Sequence, residues 1–73
     1  MYQIHVTYPT GAKGIVCHHA ENPDDLEVFL WDEDTKGYVE AEYETWEEAE
    51  GDAADVRTSF TDDTRIEVVE VKP

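Results

Sequence analysis

The stretch Glu40-Ala41-Glu42-Tyr43-Glu44-Thr45-Trp46-Glu47-Glu48-Ala49-Glu50-Gly51-Asp52-Ala53-Ala54-Asp55 decides how this chain is built. Its spacing changes at Thr45. Before that residue, Glu40, Glu42 and Glu44 alternate with Ala41 and Tyr43, the period of a half-exposed strand. After it, Trp46, Ala49, Ala53, Val56 and Phe60 recur every three or four residues, the stripe of an amphipathic helix. Thr45-Trp46-Glu47-Glu48 marks the switch. It has the form of a capping box, in which the Thr hydroxyl accepts from the Glu48 amide and Glu48 reaches back. The spacing predicts a helix from Trp46 to about Phe60, with Glu47 and Glu48 at its positive end and Arg57 near its negative end. Glu48, Asp52 and Asp55 form an acidic stripe on that helix, and Gly51 lies opposite the apolar one.

Working backward, Tyr38–Glu44 reads as a strand preceded by a turn, Asp32-Glu33-Asp34-Thr35-Lys36-Gly37. Leu26–Trp31 reads as the strand before it. A hairpin register sets Leu30 opposite Val39, Val28 opposite Ala41 and Leu26 opposite Tyr43 on the inner face. Outside, Trp31 meets Tyr38, Phe29 meets Glu40, and Glu27 meets Glu42 as a like-charge pair. Ala20–Asp25 reads as a polar loop around Asn22-Pro23. Tyr2, Ile4, Val6 and Tyr8 form a first strand, Pro9–Gly14 a turn, and Ile15–His19 the returning strand. Pairing Tyr8 with Ile15 puts Val6 opposite Cys17, Ile4 opposite His19, and His5 facing His18 on the other side. Working forward, Thr61–Thr64 is a turn and Arg65–Val71 a last strand. There Ile66 and Val68 suit one face while Val69 and Val71 suit the other, hinting at a central strand or a bulge near Val68 and Val69. The expected fold is α+β: residues 1–73 as one small domain, β-β-β-β-α-β, with a mostly antiparallel sheet of about five strands and one helix on one face.

The charge is concentrated. The chain carries 19 acidic residues against five Lys or Arg, a net charge of −14 in 73 residues. Residues 21–55 hold fifteen of the acids and Lys36 alone, so they account for the whole imbalance. The two ends together are neutral, with Asp62, Asp63, Glu67 and Glu70 offset by Lys13, Arg57, Arg65 and Lys72. A folded chain of this length is about 30 Å across. Fourteen charges occupy roughly 24 Å of duplex DNA, so the protein matches a short piece of DNA in charge per length. Nucleic acid and anionic membrane are poor partners for it.

No catalytic motif is present, and the expectation is a non-enzymatic protein without cofactor. The single Cys17 excludes an intramolecular disulfide and suits a reducing cytoplasm. The start of the chain lacks the basic residues of a signal peptide, and no apolar run approaches a membrane span. Cys17, His18, His19 and His5 do not have the spacing of a zinc site, and neighbours in a strand point to opposite faces. Asp32–Gly37 has acids and a glycine but falls short of a calcium loop. Phe29, Trp31 and Tyr38 on the outer sheet face suit either a cover for the sheet or an aromatic anchor inside an acidic rim. The acidic block itself has three readings: a solvated face, adaptation to high salt, or imitation of a polynucleotide backbone. Carboxylates on one strand face repeat every 6.4–6.8 Å or so, and helical acids three or four apart rise about 4.5–6 Å, spacings like those of successive charges on a nucleic acid.

In size, acidity and the run from Glu40 to Asp55, with Asp24, Asp25 and Asp32–Asp34 added, the chain resembles the small acidic anti-defence proteins of phages, above all anti-CRISPR proteins of the DNA-mimic kind. The likeness is one of composition and covers about half the chain. It implies an inhibitor in the host bacterial cytoplasm that blocks the basic DNA-binding groove of a CRISPR effector, of type I. The carboxylates of Asp32, Glu33, Asp34, Glu40, Glu42, Glu44, Glu47, Glu48, Asp52 and Asp55 would then stand in for phosphates, with Trp31 and Tyr38 anchoring one edge. The segment Tyr43–Ala49 followed by a Val-rich strand also resembles phage-encoded inhibitors of host RNA polymerase, which implies a different target for the same inhibitory role.

Overall fold

The computed structural model describes residues 1–72. The elements run β1 (Tyr2–Thr7), β2 (Lys13–His19), β3 (Asn22–Leu30), β4 (Tyr38–Glu40), α1 (Trp46–Arg57) and β5 (Arg65–Glu70). This is the expected α+β order, and the sheet is antiparallel at every pairing. Its main path is β3-β2-β1-β5, and β4 also pairs with β2. The radius of gyration is 11.5 Å and the extents are 29 × 28 × 23 Å, the dimensions expected of 73 residues.

Both hairpin registers differ from the sequence expectation. In β1–β2, His5 pairs with Ile15, Val6 with Gly14 and Thr7 with Lys13. The turn is tighter than a Tyr8–Ile15 pairing allows: the Gly11 amide donates to the Tyr8 carbonyl and the Tyr8 amide to that of Ala12. Gly11 has φ +90°, a conformation open to glycine at little cost. The slip amounts to an odd number of residues, so it exchanges the faces of β2. Val16 and His18 now lie with Ile4 and Val6 on the helix side. Ile15, Cys17 and His19 lie with His5 on the other, and His5 does not face His18.

The β3–β4 hairpin does not form. β3 lies along one edge of β2, with Phe29 opposite Ile15 and Val28 opposite Val16, while β4 lies on the other edge, with Glu40 opposite Cys17 and Tyr38 opposite His19. Glu27 therefore faces Cys17 rather than Glu42. β1 and β2 separate after His5 and Ile15, and residues 38–43 fill the gap. The Ala41 amide donates to the Val16 carbonyl, and Tyr2 and Tyr43 exchange backbone hydrogen bonds. Strand pairing in β4 ends at Glu40, short of the expected Glu44. The connection Trp31–Gly37 must return across the sheet to reach β2's far edge. It does so on the face opposite α1, where Ile15 and Cys17 are buried while Leu30 and Val39 of the helix side stay exposed.

β3 starts earlier than expected, at Asn22, inside the segment read as a loop. Pro23 is tolerated because β3 is an edge strand, and the ladder is irregular between His18 and His19. Gly14 has a steric reason: a Cβ there would lie 2.5 Å from the Phe29 carbonyl oxygen. β5 is the opposite edge, paired with β1 in unbroken register from Tyr2–Glu70 to Thr7–Arg65. It is neither central nor bulged; Val69 is half-buried beside Gln3 on the helix-free face.

α1 begins at the predicted cap. The Glu48 amide donates to the Thr45 hydroxyl at 3.3 Å, and that hydroxyl donates to the Glu48 carboxylate at 3.2 Å. It ends at Arg57, earlier than Phe60, with Thr58–Phe60 closing as turns onto Asp55, Val56 and Arg57. Ala49 and Ala53 are buried, but Trp46, expected in the core, is 49% exposed. The core joins Ile4, Val6, Val16, Ala41, Ala49, Ala53 and Ile66, with Tyr2, Tyr8, Leu26, Val28, Tyr43, Val56, Phe60 and Val68 around them.

Candidate functional site

The predicted carboxylates fall into two groups on opposite sides of the sheet. Glu47, Glu48, Asp52 and Asp55 are on α1. Asp32, Glu33 and Asp34 are in the connection between β3 and β4, and Glu40 points to the helix-free face opposite Cys17. Glu42 and Glu44 are exposed on the chain between β4 and α1, beside the Tyr2–Tyr43 backbone pair, and with Glu40, Glu47 and Glu48 they make one run where β4 meets α1. Asp32–Asp34 follow Leu30, which pairs with Gly14, and so lie at the other end of β1 from that run.

Several of these acids have partners inside the protein. Asp52 accepts from the Tyr43 hydroxyl at 2.6 Å and is half-buried. Burial first, and then this bond, hold the Tyr43 phenol well above its ordinary value. Glu33 accepts from the Leu30 amide and Asp34 from the Lys36 amide, each at 3.1 Å, so both fix their own turn. Glu50, on the flank of α1 facing β5, is paired with Arg57, which also donates to the Ile66 carbonyl at 3.0 Å. Asp32, Glu42, Glu44, Glu47 and Asp55 are exposed, and their carboxylates accept no hydrogen bond among the described residues. These five are the freest anions of the predicted set.

The helix-free face carries a row of rings. His5 meets Trp31 edge to face at 5.1 Å between centroids, Tyr38 meets Phe29 at 5.1 Å and His19 at 5.3 Å. Trp31 therefore does not meet Tyr38. Beneath the row, buried Gln3 donates to Glu40 at 2.9 Å and its carbonyl lies 3.1 Å from His5 Nε2, which makes that nitrogen the protonated one in neutral His5. Burial lowers the His5 pKa, against the opposing pull of Glu40 and Glu67. The Tyr38 hydroxyl donates to Asp25 at 2.8 Å, and this bond leads in pushing its pKa up to about 12. Trp31 is 51% exposed, the most accessible ring of the row.

Gln3, His5, His19 and Asp25 were not among the predicted site residues. Their place depends on the β2 register and on which edge β4 takes, and alternation alone specifies neither. Cys17 is fully buried, donates to the Ile15 carbonyl, and has its thiol pKa raised by burial and then by Glu40. Such a thiol is a poor nucleophile. Among the described residues no three His, Cys, Asp or Glu side chains are placed to hold a metal ion, and no helix is long and apolar enough to cross a membrane.

A groove of about 460 Å³ lies between α1 and β3, lined by Tyr8, Val16, Leu26, Val28, Asp55, Val56, Ser59 and Phe60 and by Glu27 of the strand. No family model, curated protein or solved structure matches the chain.

Proposed function

We propose that the protein is a non-enzymatic inhibitor that imitates the charge of DNA and occupies the basic DNA-binding groove of a host defence complex, a type I CRISPR effector in the first instance. The observation that carries this reading is the separation of charge along the chain: fifteen of the 19 acids lie in residues 21–55, against one lysine. A surface adapted to high salt would be acidic throughout, whereas here the two ends together are neutral. The run Glu40, Glu42, Glu44, Glu47 and Glu48 where β4 meets α1, with Asp55 further along the helix and Asp32–Asp34 at the other end of β1, offers carboxylates on both sides of a body with extents of 29 × 28 × 23 Å. A clasping groove meets charge on both sides of a bound duplex in the same way. Trp31, next to the acidic turn Asp32–Asp34, supplies an exposed ring over His5, and Tyr38 is held by Asp25 on the same face.

The mechanism is competition. Opposed charges speed association, and each ion pair formed at the surface weakens as salt rises. The test is displacement of fluorescent target duplex from a purified type I surveillance complex at rising salt. The expected result is complete displacement at low salt and a steep loss of potency as salt increases. Potency independent of salt, or a complex that binds protein and duplex together, contradicts the reading. A host RNA polymerase inhibitor is the second reading, and affinity capture from bacterial lysate at low and high salt separates the two by the protein retained.

A further inference from the structure

The groove between α1 and β3 follows from a mismatch of widths. Four strand columns span about 14 Å between the outer axes, and a helix with its side chains is about 10–12 Å across. α1 has only Ala49, Ala53 and Val56 to turn inward, with Phe60 in the turn after it, and it packs on β1 and β5. The helix side of β3 is left partly uncovered. The groove's floor is half-buried Leu26 and Val28 over fully buried Val16, and it is lined further by Tyr8 and Phe60, whose rings meet edge to face at 5.9 Å. Leu30 and Val39, 38% and 46% exposed, lie on the same sheet face beyond the groove. The wall on the helix side carries Asp55 and Ser59. Glu48 and Asp52 precede them along that flank, and among the described residues no Lys or Arg lines the groove.

We infer that this groove is a docking site for an apolar side chain of a basic protein segment, one whose flanking lysines or arginines pair with Asp55 and the acids before it on α1. The inference rests on the basic partner proposed above and adds the contact that holds it. Charge complementarity identifies the occupant. An apolar floor beside an unneutralised acidic wall favours a side chain such as leucine between cations, and it repels an acidic segment or a second copy of this chain, with its own charge of −14. Carboxylates alone give a salt-sensitive and shallow attachment. A buried apolar anchor beside them slows dissociation, because such anchors carry most of an interface's energy.

The experiment uses the isotope-labelled full chain and three short synthetic peptides: a leucine pair flanked by lysines, the same peptide with alanines for leucines, and the same with glutamates for lysines. The expected result is that the leucine–lysine peptide shifts the amide resonances of Val16, Leu26, Val28, Val56 and Phe60. The alanine–lysine peptide should bind about tenfold more weakly, and the glutamate peptide not at all. Asp55→Lys should weaken the first peptide by about threefold, whereas Glu67→Lys, the same charge change on the helix-free face, should leave it unchanged. If the two lysine peptides bind alike, with shifts confined to Glu42–Glu48, the groove has no part and the acidic run alone is the site. Equal binding of the leucine–glutamate peptide overturns the choice of a basic occupant. Failure of DNA displacement with the groove still binding the leucine–lysine peptide would remove the DNA-mimic reading and leave this one.

Discussion

The acidic middle of the chain and its neutral ends contribute differently to the same fold. Ile4, Val6, Val16 and Cys17, the large side chains that are fully buried, all come from the first twenty residues, and Ile66 joins them from the last strand. Residues 21–55 carry the entire net charge, yet the only side chains they bury are those of Ala41, Ala49 and Ala53. One region supplies apolar area and the other supplies surface. The difference explains how so small a domain holds a charge of −14: the self-repulsion falls on residues that contribute little to the core. Trp46 belongs with the display region despite its position on the helix stripe.

The largest expected effect breaks the core side of this comparison. Ile4→Ala should lower unfolding free energy by about 3 kcal/mol, read by urea denaturation. Trp46→Ala should cost less than about 1 kcal/mol. Equal losses at the two sites would show that the acidic region shares the core after all. The second effect probes the joint between the regions. Tyr43→Phe removes the hydroxyl that donates to Asp52 at 2.6 Å and should cost about 1–2 kcal/mol. In the wild type the Tyr43 phenol should stay protonated to higher pH than an ordinary tyrosine, followed by ultraviolet absorbance.

A third change improves the display region without touching the core. A Cβ at Gly51 meets nothing within 4 Å, so Gly51→Ala should raise stability by about 1 kcal/mol through helix propensity, with no change in binding. The smallest effect concerns His5. Its folded pKa is lowered by burial beneath the ring row, so the unfolded chain takes up a proton first as the pH falls. The stability tied to neutral His5 is present above about pH 6.5 and is lost as the pH drops from there toward the folded value. An NMR titration should find His5 titrating below about 6.5, and Trp31→Ala, which uncovers the ring, should bring it back toward that figure.

The helix was legible because Thr45 and Glu48 form a local device whose geometry needs no other part of the chain. Strand positions were nearly as legible, and inner and outer faces were right for β1, β3 and β4, since alternation settles them. Which strands are neighbours was not, because Leu26, Val28 and Leu30 present the same apolar edge to β4 as to β2. The β1–β2 slip turned on the tightness of one turn around Gly11, and it moved Cys17 to the face of His5. For the candidate site, the acidic residues could be read directly as a set. The place of Asp32–Asp34 could not, since it depends on the connection crossing from β3 to the far edge of β2. The internal bonds of Asp52, Glu33 and Asp34 were also hidden, and they decide which acids are free to meet a partner.

The most direct measurement combines stability and displacement in one variant, Glu42→Gln/Glu44→Gln/Glu48→Gln. It removes three of the 19 carboxylates and leaves Asp52 on Tyr43, while the glutamine that replaces Glu48 can still complete the capping box. The account predicts that this variant unfolds at the same or higher urea concentration at low salt, yet displaces duplex DNA from the surveillance complex at least about tenfold less well, a loss of roughly 1.4 kcal/mol. A variant that displaces DNA as the wild type does, or one that loses stability along with displacement, would contradict the separation of core from charged surface.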